Sequence, residues 1–255
     1  MIQLSVVVIT FNESENIERC LHSVTGIADE MLVVDSFSTD NTAARAQALG
    51  ARVMLHPFES YSQQRHFAAQ QASHDYVLAL DADESLSDTL HEVILKIKKD
   101  WKSDTYTFNR LNKIGDTWLR HTSWYPDTKL RLFDRRKVVF TGIGGHDTIK
   151  PILGATTKHV SGELLHHASA DLHSRAQQTN NLSTASARYL FEQGKRTNWL
   201  RILLKPLARF LVEYVLKRGF LAGFYGFMIA KTSAYYVFLR EAKLAEMWRL
   251  RSDQH

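Results

Sequence analysis

The stretch Tyr76-Val77-Leu78-Ala79-Leu80 runs directly into Asp81-Ala82-Asp83-Glu84, so a short apolar segment ends in three carboxylates within four positions. An unbroken apolar run of this length suits a strand covered on both faces, as in a mostly parallel sheet. Such sheets bind ligands at the carboxyl ends of their strands. If the backbone stays extended one step further, Asp81 and Asp83 project to the same side. Two hard oxygen donors on one side suit Mg2+ or Mn2+, which bind through one or two carboxylates together with substrate phosphates. The competing reading is that Asp81 or Asp83 caps a helix beginning near Ser87.

The preceding chain supplies the rest of a layered sheet. Leu4 to Thr10 is a β-branched run, and Ile17, Cys20, Leu21 and Val24 fall on one helical face behind it. Met31 to Val34 ends in Asp35, an alanine-rich helix runs to Leu49 and closes on Gly50, Ala51 to Leu55 reads as a strand, and Ser62 to Ala72 as a helix. This alternation predicts an α/β fold with parallel strands and right-handed crossovers. The turn after the first strand, Thr10-Phe11-Asn12-Glu13, has no glycine, which makes a Rossmann pyrophosphate turn a weak reading. Carboxylates end the second and fourth strands instead, so phosphate entering this crevice is expected to arrive with a cation.

With 255 residues the chain can bury a full core. Cys20 is the sole cysteine, which excludes an intrachain disulfide and favours a reducing compartment. The opening residues lack a basic segment before their apolar run and read as a strand, not a signal peptide. The formal charge of +5 is concentrated toward the end of the chain. Nucleic acid is not among the expected partners.

Ser5-Val6-Val7-Val8-Ile9-Thr10-Phe11-Asn12-Glu13, Asp35-Ser36-Phe37-Ser38-Thr39-Asp40 and Asp81-Ala82-Asp83-Glu84, in this order and spacing, resemble family 2 glycosyltransferases of the GT-A fold. Arg131-Leu132-Phe133, Gly145-His146-Asp147, Leu165-His166 and Lys217-Arg218-Gly219-Phe220-Leu221 extend the likeness toward bacterial lipopolysaccharide-core β-1,4-glucosyltransferases. The resemblance implies a mostly parallel central sheet with helices on both faces, occupying residues 1–170, and a C-terminal helical, membrane-associating region over 171–255. It implies that Thr10, Asn12 and Glu13 line a nucleotide pocket, that Asp35 hydrogen-bonds the base, and that Arg65 lies near the donor, although His66 stands where the family usually has Asn. Asp81 would face the ribose or the metal, and Asp83 would hold the metal between the two phosphates, with His166 as a third ligand. Arg131 would pair with an anionic donor or acceptor group. Asp147 is the expected catalytic base, with His146 the alternate, on a glycine-rich turn where related chains often carry His-Glu. The reaction implied is single displacement with inversion, assisted by a divalent cation.

Trp118 to Asp127 carries two tryptophans, read either as an acceptor-stacking loop or as core. Beyond a helix from about Asp171 to Gln193, Arg201, Lys205, Arg209, Glu213 and Lys217 recur every four residues among apolar positions, a basic amphipathic helix whose basic face suits anionic headgroups. Residues 219–239 are long enough to span a bilayer, but three glycines, a lysine and many aromatics favour an interfacial or packed helix. The favoured reading is an inverting hexosyltransferase moving glucose from UDP-glucose to a lipid-linked saccharide such as the lipopolysaccharide inner core, peripheral on the cytoplasmic face of the bacterial inner membrane. The alternatives are a polyprenyl phosphate acceptor and a non-catalytic nucleotide-sugar-binding scaffold.

Overall fold

The computed structural model describes residues 1–142, 148–167 and 172–252. The chain divides into two compact units, one built from Met1–Asn112 and Pro126–His167, the other from Lys113–Tyr125 and Ala168–His255. The second unit thus takes the tryptophan-bearing segment as well as the C-terminal helices.

In the first unit, β1 (Leu4–Thr10), β2 (Glu30–Asp35), β3 (Arg52–Leu55) and β4 (Tyr76–Asp81) alternate with α1 (Ile17–His22), α2 (Thr42–Ala48) and α3 (Tyr61–Gln71). β5 (Glu84–Leu86) and α4 (Asp88–Lys99) follow, then the long strands β6 (Thr105–Ile114), β8 (Asp127–Asp134) and β11 (Thr157–His166). The sheet order is β3-β2-β1-β4-β8-β6-β11-β5. The first four strands are mutually parallel, and β8 joins antiparallel to both β4 and β6. The sheet is therefore parallel on the side of β1 to β4 and mixed beyond β4. A separate hairpin pairs β9 (Val138–Thr141) with β10 (Thr148–Pro151).

Alternation along β1 distributes its side chains between two cores. Leu4, Val6 and Val8 pack with Ile17, Leu21, Leu90 and Ile94 on one face, while Val7 and Ile9 pack with Ala68 and Ala69 of α3 on the other. In β4, Leu78 and Leu80 join the first core and Val77 and Ala79 the second. Both faces being covered, the apolar run that the sequence shows at 76–80 is required.

That strand stops where the aspartates begin. Ala82 and Asp83 form a turn, so Asp81 and Asp83 do not continue as an extended pair with a common side. The helix-cap reading also fails, because Ser87 caps α4 by accepting from the Leu90 N–H at 3.3 Å.

The second unit contains the end of β6 paired with β7 (Thr117–Trp118), then α5 (Leu172–Glu192), α6 (Trp199–Leu211) and α7 (Gly223–Ser252). A π-helical segment, Val212–Leu216, and a 3-10 turn, Gly219–Ala222, separate α6 from α7, so 219–239 is not one helix. Among the described residues, no helix is long and apolar enough to cross a membrane.

Candidate active site

The carboxyl ends of β1, β2 and β4 lie side by side, with Thr10 registered against Asp35 and Ile9 against Asp81. Asp35 is fully buried and Thr10 nearly so. One Asp35 oxygen, Oδ1, accepts from the Ser38 N–H at 2.7 Å. Asp35 Oδ2 and Thr10 Oγ1 are buried with no hydrogen-bond partner among the described residues. Two unsatisfied polar atoms on neighbouring strand ends cost stability unless a ligand completes them, and such sites point to function. The loop after β1 is stapled to the loop after β2. Asn12, at φ 53°, gives its N–H to Ser38 Oγ at 2.8 Å and its Oδ1 accepts from the Thr39 N–H at 2.8 Å. Glu13 donates its N–H to Thr42 Oγ1 at 2.9 Å, and its carboxylate accepts from Asn16 Nδ2 at 2.6 Å. Burial raises the Glu13 pKa, opposed by the Asn16 bond and reinforced by the nearby charge of Asp83.

Asp81 is held between two guanidinium groups. Arg65 of α3 places Nη2 2.8 Å from each carboxylate oxygen, and Arg131 of β8 places Nη2 2.7 Å from Oδ2. Burial alone would raise the Asp81 pKa, but the charges of Arg131 and then Arg65 outweigh it and hold the carboxyl well below its usual range. Expected to meet an anionic donor or acceptor group, Arg131 is buried and pairs with Asp81 and Glu84 instead. Asp81, expected at the ribose or the metal, has both oxygens engaged by arginine.

Glu84, Arg110 and Asp127 extend this network, and of the three only Glu84 stands in a sequence motif. Glu84 is buried; its Oε2 accepts the Asp81 N–H at 3.0 Å, and its Oε1 lies 2.8 Å from Arg131 and 3.3 Å from Arg110. Arg110 also meets Asp127 at 2.8 Å, directly opposite it in the β6–β8 register. Only strand register brings these two together. Glu84 was visible as the third carboxylate of its motif.

Asp83 is placed differently. The antiparallel pairing of β11 with β5 sets His166 opposite Glu84, so the His166 ring reaches Asp83, with Nε2 3.0 Å from Oδ2. His166 Nδ1 lies 2.7 Å from Asn112 Oδ1. With that carboxamide oxygen accepting, Nδ1 carries the ring proton, and a neutral imidazole then turns the Nε2 lone pair on the Asp83 carboxylate. Two acceptors at 3.0 Å call for a proton or a cation between them. A carboxylate and an imidazole with a carboxamide behind it form a donor pair suited to Mn2+. Among the described residues no cluster of three or more His, Cys, Asp or Glu could hold a metal ion. The donor set fits a divalent cation brought with a diphosphate.

His66 is exposed and stacks on Phe140, 5.0 Å between ring centroids, rather than following Arg65 into the network. Cys20 is fully buried, and burial followed by the charges of Glu84, Asp83 and Asp81 pushes its thiol far up. In the second unit, Trp124 packs against the small core of Ile114, Leu119 and Ile229. The expected catalytic pair, His146 and Asp147, lies outside the described residues.

Parallel strands ending in buried carboxylates, with helices on both faces and mixed strands beyond, define a GT-A-type nucleotide-sugar transferase fold. The mannosyltransferase PcManGT of Pyrobaculum calidifontis, solved with GDP-Man and Mn2+, superposes with a TM-score of 0.55 over 95% of this chain and 87% of its own, at 14% identity. The glycosyl transferase family 2 model matches residues 5–154. An uncharacterized glycosyltransferase of Rickettsia bellii is 33% identical over 96% of this chain and 87% of its own length. The lipopolysaccharide core biosynthesis glycosyltransferase LpsC of Rhizobium meliloti is 28% identical over 98% and 94%. The chain belongs to glycosyl transferase family 2.

Proposed function

We propose that the chain transfers a hexose, with inversion, from UDP-glucose to a hydroxyl of a lipid-linked saccharide of the lipopolysaccharide inner core. The observation that carries this reading is the division of labour at the end of β4: Asp81 is neutralised by arginines while Asp83 faces His166 with room in its chemistry for a cation. Thr10 Oγ1 and Asp35 Oδ2 would receive the donor groups of the nucleotide, Asp35 those of the base, and Asn12 and Glu13 would close over it. Arg65 would keep Asp81 fixed beneath the donor. The likeness to LpsC supports a core-saccharide acceptor.

A divalent cation held by Asp83 and His166 would supply Lewis-acid neutralisation of the charge that grows on the leaving diphosphate. Asp147, with His146 the alternate, takes the proton of the acceptor hydroxyl as its oxygen attacks the anomeric carbon. The bond from that carbon to the diphosphate oxygen breaks, its electron pair leaves with the nucleoside diphosphate, and one glycosidic bond forms.

The exposed leucines of α6, with exposed Arg201, Lys217 and Arg218 beside them, support a peripheral position on an anionic membrane surface, and Cys20 as sole cysteine suits the reducing cytoplasmic side. Thermal unfolding with a panel of nucleotide sugars and Mn2+ tests the reading, since a ligand stabilises the fold it binds. Stabilisation by UDP-glucose above GDP- and ADP-sugars is expected; stabilisation by adenine or flavin nucleotides alone would overturn it.

A further inference from the structure

The second unit holds a cavity of about 940 Å³, walled by α5, α6, α7 and the segment around Trp124. That volume sits at the upper end of ordinary ligand pockets, about 300–1,000 Å³. Much of its wall is hydrocarbon or aromatic, from Leu182, Met228, Ile229, Val237 and Trp124. Five hydroxyls, of Thr179, Tyr225, Thr232, Ser233 and Tyr236, are spread around this wall, and Thr232 already donates to the Met228 carbonyl at 2.8 Å. The wall between them is hydrocarbon, against which a sugar or a nucleotide would bury hydroxyls without partners.

The charged residues lining the cavity are Lys205, Arg209 and Arg240, with no carboxylate among the lining residues. Their partners, Glu213 and Glu241, are buried behind them. Lys205 and Arg240 both meet the same Glu241 oxygen at 2.8 Å, and Arg209 meets Glu213 at 2.6 Å. Two cations on one carboxylate leave a surplus positive charge. Arg240 Nε, moreover, is buried with no hydrogen-bond partner among the described residues. Arg240 thus lines the cavity with one guanidinium nitrogen on Glu241 and another able to take a further acceptor.

The same unit shows where such a ligand would come from. Leu203, Leu204, Leu207 and Leu211 of α6 are 55–63% exposed, whereas Lys205 and Arg209 turn to their buried glutamates. The helix thus exposes a row of leucines beside Arg201, while Lys205 and Arg209, partly exposed, reach back to buried carboxylates.

We infer that this cavity binds an amphiphile, its alkyl chain against Ile229, Val237 and Trp124 and its anionic head at Arg240 and Lys205. Binding there needs neither donor nor cation, so it is tested on the full chain alone. Dodecyl phosphate, kept below its micelle concentration, is titrated while fluorescence is followed, with a brominated-chain analogue as quencher. One molecule is expected to bind saturably, to raise the melting temperature, and to quench emission that disappears in Trp124→Phe. Inorganic phosphate and dodecyltrimethylammonium, which each lack one half of the ligand, are expected to bind at least about tenfold more weakly, as is dodecyl phosphate to Arg240→Gln. Ser233→Phe and Ala208→Phe each project a ring into the chamber, and each is expected to weaken binding, with Arg240→Gln as the arm that adds no bulk. Leu203→Asp with Leu207→Asp, on the outer face, is expected to retain it. Unsaturable association, or binding unchanged in the Phe variants and in Arg240→Gln but lost in the outer-face variant, would assign the amphiphile to the surface and overturn the inference.

Discussion

Asp83 and His166 stand 3.0 Å apart, carboxylate oxygen to ring nitrogen, although they are 83 positions apart in the chain. The pairing of β11 with β5 creates this relationship, and Asn112 fixes the ring from behind. Asn112→Ala is therefore expected to weaken Mn2+ binding by about 10- to 100-fold while the ligands stay in place, the usual loss when the group orienting a ligand histidine is removed. Titration calorimetry with Mn2+ in the presence of UDP measures it.

Arg131 is buried between Asp81 and Glu84. Breaking an isolated buried pair costs about 3–5 kcal/mol; here Arg65 still faces Asp81 and Arg110 still faces Glu84, so the loss is expected below that range. Arg131→Met is expected to lower the urea midpoint accordingly, and Arg131→Lys to lose less because a cation remains. A midpoint unchanged in Arg131→Met would show that the network does not hold the sheet.

Thr10 offers a separation of stability from function. Its hydroxyl is buried without a partner among the described residues, so Thr10→Val removes an unsatisfied group from the free protein. The variant is expected to be as stable as wild type or more so by about 1 kcal/mol, yet to bind UDP about tenfold more weakly. Thermal unfolding with and without UDP reads both effects at once.

Glu30 supplies a pH dependence. Burial would raise its pKa, but hydrogen bonds from Ser5, Arg52 and Ser73 bring it down from 4.5 to about 2. A group whose folded pKa is depressed contributes stability above its unfolded value and loses it as pH falls. The contribution is thus complete above 4.5 and lost as pH drops to about 2. Glu30→Gln is expected to flatten the fall in melting temperature over that interval and to leave the melting temperature at pH 7 lower than wild type.

The parallel side of the sheet was legible because its signals are local. Alternating apolar runs, an alanine-rich helix and carboxylates at strand ends carry their periodicity in a few residues. The site was legible only in part. Thr10, Asn12, Glu13, Asp35 and Arg65 stand at or beside the carboxyl ends of the parallel strands, as their positions imply. The extended Asp81–Asp83 pair was misjudged, because a turn at Ala82 and Asp83 separates the two side chains and gives them opposite-charge and imidazole partners respectively. The pairing of Arg110 with Asp127 depends on antiparallel register, which no periodicity encodes. The basic positions of α6 did show helical spacing, but buried Glu241 and Glu213 engage Lys205 and Arg209, leaving Arg201 and Lys217 exposed among leucines.

The most direct measurement is electron paramagnetic resonance of Mn2+ titrated into the chain with UDP present. One tightly held Mn2+ per chain is predicted, lost in Asp83→Asn and in His166→Ala and unchanged in His159→Gln. Mn2+ bound equally well by wild type and both ligand variants, or bound by none of them, would contradict a cation site at Asp83 and His166.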